Sequence, residues 1–96
     1  MRLTELDPKW TGVQGDQMQV PPRWGVGLSF NCPCGGDHRI GVEFQNPLDG
    51  GRGRPGMWIR TGSTFESLTV GPSIREAGGG GCGWHGFIRD GEVINA

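Results

Sequence analysis

Two stretches of the chain alternate apolar and polar positions with a period of two. In Trp24-Gly-Val-Gly-Leu-Ser-Phe30 the apolar side chains fall at 24, 26, 28 and 30, so all four share one face of a strand. His38-Arg-Ile-Gly-Val-Glu-Phe44 repeats the pattern, with Ile40, Val42 and Phe44 inward and Arg39, Gly41 and Glu43 outward. The short segment between them predicts a β-hairpin with Cys32 to His38 at its tip. Met57 to Arg60 and Thr64 to Val70 read as two shorter strands. Gly71-Pro72-Ser73-Ile74 is expected to turn the chain, with room for a helical turn near Ser73 to Ala77. Trp84 to Ile88 and Glu92 to Asn95 flank Asp90-Gly91, the signature of a tight hairpin turn.

The remaining segments lack periodicity. Asp7-Pro8 and Pro21-Pro22 leave no space for a useful helix before residue 23. Residues 1–22 are therefore expected as an extended N-terminal arm, pinned to the body by Trp10 and Trp24. Residues 45–56 predict a long loop with little to bury, and Gly78 to Gly81 gives the backbone four consecutive glycines. The fold class that follows is mainly β: a small, loop-rich, single-domain antiparallel fold, with residues 23–96 as its body.

Composition sharpens this picture. A chain of 96 residues makes one domain, and one of that size buries only about 60 to 65% of its unfolded surface. Twenty glycines and seven prolines add to the entropy lost on folding, while four Trp and four Phe argue for an ordered core. Such a domain needs a staple. Three cysteines leave one unpaired, and a Cys32–Cys34 bridge would close a very small ring. With no apolar signal core and no run of roughly 18 apolar residues, a cytoplasmic location with reduced thiols is expected and no membrane partner. A net charge of −1 gives no basic footprint for nucleic acid; Arg52 and Arg54 read as part of a solvated loop. Oligomeric state is not set by these features.

The staple these residues point to is a metal. All three cysteines and both histidines fall in Asn31-Cys-Pro-Cys-Gly-Gly-Asp-His38 and Gly81-Cys-Gly-Trp-His-Gly86. Thiolate and imidazole suit zinc, and a structural site takes four of them. Cys32, Cys34 and Cys82 would ligate, and Gly35 would let backbone N–H groups turn towards sulfur. The fourth ligand is His38 or His85. Were His38 to complete the site, His85 would be free to act as a base, with Ser73 the best-placed hydroxyl nucleophile. Ser73 could equally cap the turn that follows it. Glu43, Asp90 and Glu92 are the acidic groups that could orient such a His85.

Cys32-Pro-Cys34-Gly35, Pro47-Leu48, Trp58, Ser67-Leu68 with Pro72-Ser73-Ile74, and Cys82-x-x-His85 followed by Ile88, Gly91 and Val93 together resemble a small zinc-binding family. Its members are encoded in bacterial ubiquitination-like (Bub) operons and in phages. The resemblance covers about residues 26 to 95. It implies a serine peptidase acting on ubiquitin-like modifiers or their conjugates, with Ser73 as the Pro-Ser-Ile serine and His85 as the histidine after the last cysteine. Gly36 stands where the operon-borne branch usually has a further cysteine, which implies that His38 takes that place as ligand. Trp84-His85-Gly86 replaces Ser-His-Tyr, and Arg75-Glu76-Ala77 replaces Gly-Asn-Trp, as in a shorter, phage-like branch.

The expectation is a structural zinc held by Cys32, Cys34, His38 and Cys82, and a serine peptidase using Ser73 and His85. Its substrate would be a protein, possibly ubiquitin-like, in a bacterial or phage-infected cytoplasm. The alternative is a non-catalytic zinc module for interaction or structure, such as a phage component or an inhibitor of host defence.

Overall fold

The computed structural model describes residues 1–13, 23–48, 50, 53–76 and 82–96. A 3-10 turn, Leu3–Leu6, precedes β1 (Lys9–Val13), β2 (Arg23–Asn31) and β3 (Arg39–Glu43), which form a three-stranded antiparallel sheet in that order. β4 (Ile59–Thr61), β5 (Thr69–Arg75), β6 (His85–Arg89) and β7 (Glu92–Asn95) form a second, four-stranded antiparallel sheet. The protein is mainly antiparallel β, as its alternating patterns predict.

The inner faces of the two sheets share one core. Leu28, Phe30, Ile40, Val42 and Phe44 from the first sheet meet Val70, Ile74, Ile88 and Val93 from the second, with Leu68 between and Leu3 and Leu6 closing one side. Backbone joins the sheets as well: Phe44 and Trp58 make a parallel bridge, and Arg2 pairs with Glu92. Among the described residues no helix is long and apolar enough to cross a membrane.

The first hairpin has the expected inward face and its tip at Cys32 to His38, and its register sets Phe30 opposite Ile40 and Leu28 opposite Val42. Trp24 departs from expectation. It is 60% exposed rather than inward, because a bulge intervenes: Thr11 faces Gly27, but the next residue, Gly12, faces Trp24. The bulge reverses side-chain parity upstream of it, at Gly25 with φ of 79°. Trp10, on the other side of that bulge, does pack inward and stacks on Phe65 at 4.5 Å. Residues 14–22 of the expected arm, and the run Gly78 to Gly81, lie outside the described residues.

The second sheet departs in one important way. Thr64 to Ser67 forms a turn, not a strand, with the Ser67 N–H donating to the Thr64 carbonyl at 3.2 Å. The segment Gly71-Pro72-Ser73-Ile74, expected to turn the chain, instead runs inside β5. What looks like a turn in sequence is a break of register: Val70 pairs with Ile88 and Ile74 with Gly86, so β5 spends four steps where β6 spends two. Proline has no N–H for the ladder and is accommodated at such bulges. β5 then continues through Arg75, so no helical turn starts at Ser73. The β6–β7 hairpin turns at Asp90 and Gly91, φ 52° and 77°, the two positive values of a tight primed turn.

Candidate functional site

The hairpin tip and the residue run leading into β6 bring four donors together. Cys32, Cys34, His38 and Cys82 place their ligand atoms within 4.8 Å of one another. Cys32 is buried at the end of β2, while Cys34 and Cys82 are exposed free thiols. The Cys32 and Cys82 sulfurs are 3.4 Å apart, and Cys34 Sγ lies 3.7 Å from His38 Nε2. Zinc–sulfur bonds of about 2.3 Å and zinc–nitrogen bonds of about 2.0 Å put tetrahedral ligand atoms roughly 3.5 to 3.8 Å apart. The donor set and its spacing therefore fit a four-coordinate zinc with all four positions taken by protein.

Local structure builds the tip. The Cys32 N–H donates to the His38 carbonyl at 3.1 Å, and the Gly35 N–H to the Cys32 carbonyl at 3.3 Å. Gly35, at φ 82°, aims the next N–H at sulfur, so that Gly36 donates to Cys34 Sγ at 3.2 Å. That bond holds the Cys34 thiol below its ordinary pKa. Burial pushes the neighbouring Cys32 thiol up to about 12.

The fifth candidate donor faces elsewhere. His85, first residue of β6, lies on the outer face of the four-stranded sheet, and its Nε2 is 2.8 Å from Ser73 Oγ. The register break in β5 sets this distance: it pushes Ser73 out of the ladder while Arg75 still pairs with His85. Both residues are half-buried. Trp58 anchors the serine from the other side, its indole Nε1–H donating to the Ser73 carbonyl at 3.2 Å.

The proposed orienting carboxylates are occupied or distant. Glu43 accepts from Arg54 at 3.0 Å, and Glu92 pairs with the N-terminal amine and Arg2, each at 3.7 Å. Asp90 and Glu92 sit at the turn end of the β6–β7 hairpin, whereas His85 begins it. Sequence reasoning missed the role of Trp58. Its signal was a tryptophan just before a short strand: a half-buried indole N–H needs an acceptor.

A knuckle of three cysteines and a histidine, set three residues ahead of a histidine that touches a strand serine, restricts the family this chain could join. The family model described as bacterial ubiquitination-like system serine protease (BubE) matches residues 4–96. The chain belongs to this family. The matched residues include both sheets, the four knuckle residues, Ser73 and His85. No curated protein and no solved structure matches the chain.

Proposed function

We propose that this protein is a zinc-stabilised serine peptidase that cleaves ubiquitin-like conjugates or C-terminal peptide tails, with Ser73 as nucleophile and His85 as its base. The observation that carries the reading is the 2.8 Å separation of Ser73 Oγ and His85 Nε2, within the reach a nucleophile–base pair needs. The serine-protease description of the family supports it.

In the acylation step the Ser73 hydroxyl gives its proton to His85 Nε2 as Oγ bonds to the scissile carbonyl carbon. The C–N bond then breaks, and the imidazolium returns the proton to the leaving amine. Water deacylates by the same route: His85 takes its proton, hydroxide adds to the ester carbonyl, and Ser73 leaves reprotonated. Because Nε2 must accept in the first step, the Nδ1 atom carries the resting proton. Trp58 holds the Ser73 backbone while Oγ moves.

Cys32, Cys34, His38 and Cys82 would hold the zinc, whose chemistry here is structural, since no coordination position is left for water or substrate. Cys82 ties β6 to the β2–β3 tip immediately before His85, so the knuckle fixes where the base stands.

The test is labelling by a fluorophosphonate, which needs an activated serine and no particular substrate. Wild-type protein should label at Ser73 and cleave a ubiquitin-like protein extended at its C-terminus, and Ser73→Ala should do neither. Zinc-loaded, folded protein that neither labels nor cleaves would replace this reading with the binding-module one.

A further inference from the structure

Arg75 ends β5 on the outer face of the four-stranded sheet, beside Ser73 and His85. Its Cα pairs with that of His85 on β6, and residues directly opposite on antiparallel strands share a face, with Cβ atoms about 4.5–5.5 Å apart. The pair is of the closer kind. The Glu76 N–H donates to the Trp84 carbonyl at 2.7 Å, and the His85 carbonyl accepts from Ala96, just past β7, at 2.9 Å. Arg75 and His85 therefore exchange no ladder bonds with each other, the arrangement in which opposing side chains come nearest. Ser73 lies two positions back along β5, about 7 Å away, with Ile74 between them turned into the core. Ser73, His85 and Arg75 share one surface, and Arg75 is its exposed member.

The charge beside Arg75 is unbalanced. Among the described residues the ion pairs join Glu92 to the N-terminal amine and Arg2, Asp7 to Lys9 and Arg39, and Glu43 to Arg54, none of them at Arg75. Glu92 stands opposite Arg89, at the other end of β6. Glu76 is still in the ladder, where alternation puts it on the face away from Arg75. The acylation step sharpens the imbalance: a proton taken by His85 sets an imidazolium directly opposite a guanidinium, and like charges so placed repel. A carboxylate lying over both would turn that repulsion into attraction. The substrate can supply it.

Resting on the peptidase reading, we propose that Arg75 is a specificity-determining residue, which pairs with an Asp or Glu side chain next to the scissile bond of the substrate. Its guanidinium can meet a carboxylate through two parallel N–H donors, and the same carboxylate faces the imidazolium that forms at His85. A neutral side chain gains neither contact. A lysine at that place meets Arg75 with like charge, so the preference comes from attraction to one class and repulsion of the other.

The experiment uses zinc-loaded full chain and alkyl fluorophosphonates whose short arm ends in a carboxylate, standing in for the acidic side chain, in a carboxamide or in an ammonium group. Labelling rates at Ser73 are read for wild type, Arg75→Gln, Arg75→Glu, Arg75→Lys and Arg89→Gln. Each protein is scored by the ratio of its own carboxylate and ammonium rates, so that a general loss of reactivity cancels. An exposed ion pair changes a rate by a factor of up to about five, and attraction and repulsion together should give wild type a ratio of roughly 5 to 25, with the carboxamide between. About 1 M salt should bring that ratio close to one. Arg75→Gln should also bring it close to one, Arg75→Glu should invert it, and Arg75→Lys should keep part of it. Arg89→Gln changes a like charge on the same face, four residues from His85 and stacked over Phe87 at 4.3 Å, and should leave the ratio as in wild type.

A wild-type ratio near one overturns the assignment, and this arm needs no variant to fold. So does a ratio that survives both Arg75→Gln and Arg75→Glu, or one that Arg89→Gln lowers as much as Arg75→Gln does, because the preference would then belong to the whole face. Each of these outcomes leaves the Ser73–His85 pair in place. Absence of labelling of wild type by all three probes overturns the peptidase reading and the role of Arg75 together.

Discussion

The indole N–H of Trp58 reaches across from just before β4 to the carbonyl of Ser73, 3.2 Å away. Trp58 is itself fixed by backbone: its N–H donates to Glu43 at 3.1 Å, and its carbonyl accepts from Gln45 at 2.6 Å. The junction between the two sheets thus grips Ser73, the proposed nucleophile. Trp58→Phe keeps the ring and removes the donor. One such bond contributes about 0.5–1.5 kcal/mol, so the thermal midpoint should fall by a few degrees. The larger effect should be on kcat, down about tenfold with KM little changed, as a misplaced nucleophile predicts. An unaltered kcat would reduce Trp58 to packing.

Ser73 and His85 should behave as one unit. Ser73→Ala and His85→Ala should each lower turnover by about 10³-fold or more, and the double variant should be little worse than either. Zinc content and thermal midpoint should stay near wild type in all three. Additive losses would mean that the pair does not act together.

The knuckle predicts a different pattern. Structural zinc contributes an apparent 10–16 kcal/mol or so in small zinc domains, against about 5–15 kcal/mol for the whole stability of a domain. Chelation, and Cys82→Ser, should therefore unfold the protein or strip its cooperative melt. His38→Ala should lose zinc and His85→Ala should keep it, by elemental analysis. The reverse result would put His85 on the metal and take away the base.

As zinc leaves and before the hairpin unfolds, its two thiols should differ. Cys34, exposed and held below its ordinary pKa by the Gly36 N–H, should be alkylated first near neutral pH. Cys32, with its thiol pushed up to about 12 by burial, should react last, because the thiolate is the nucleophile. Cys32 bears a proton at neutral pH that a metal must displace, so zinc binding should release it and weaken as pH falls. Mass spectrometry of partial alkylation reads the order, and added zinc should protect both.

Much of this was legible in the residues because it is local. The β2–β3 hairpin follows from alternation at Val26, Leu28, Phe30, Ile40, Val42 and Phe44, and the β6–β7 turn from Asp90-Gly91, since both depend on side-chain period and backbone φ alone. The donor types at Cys32, Cys34, His38 and Cys82 were likewise visible, and the spacing of their motifs was enough to suggest the family.

What the sequence by itself determined, then, was the strand-forming pattern, the need for a staple and a pool of five metal donors. Only the tertiary structure decided which donor stands apart. A local pattern cannot report a register break whose cause lies in pairing with another strand. Gly71-Pro72-Ser73-Ile74 read as a turn because proline and glycine mark turns, yet β4 and β6 on either side hold it in the sheet and expel Ser73 towards His85. Trp24 went outward for the same reason, through pairing with β1. Contacts between residues far apart in the chain, Ser73 with His85 and Trp58 with Ser73, are set by strand order and register, which no periodicity encodes.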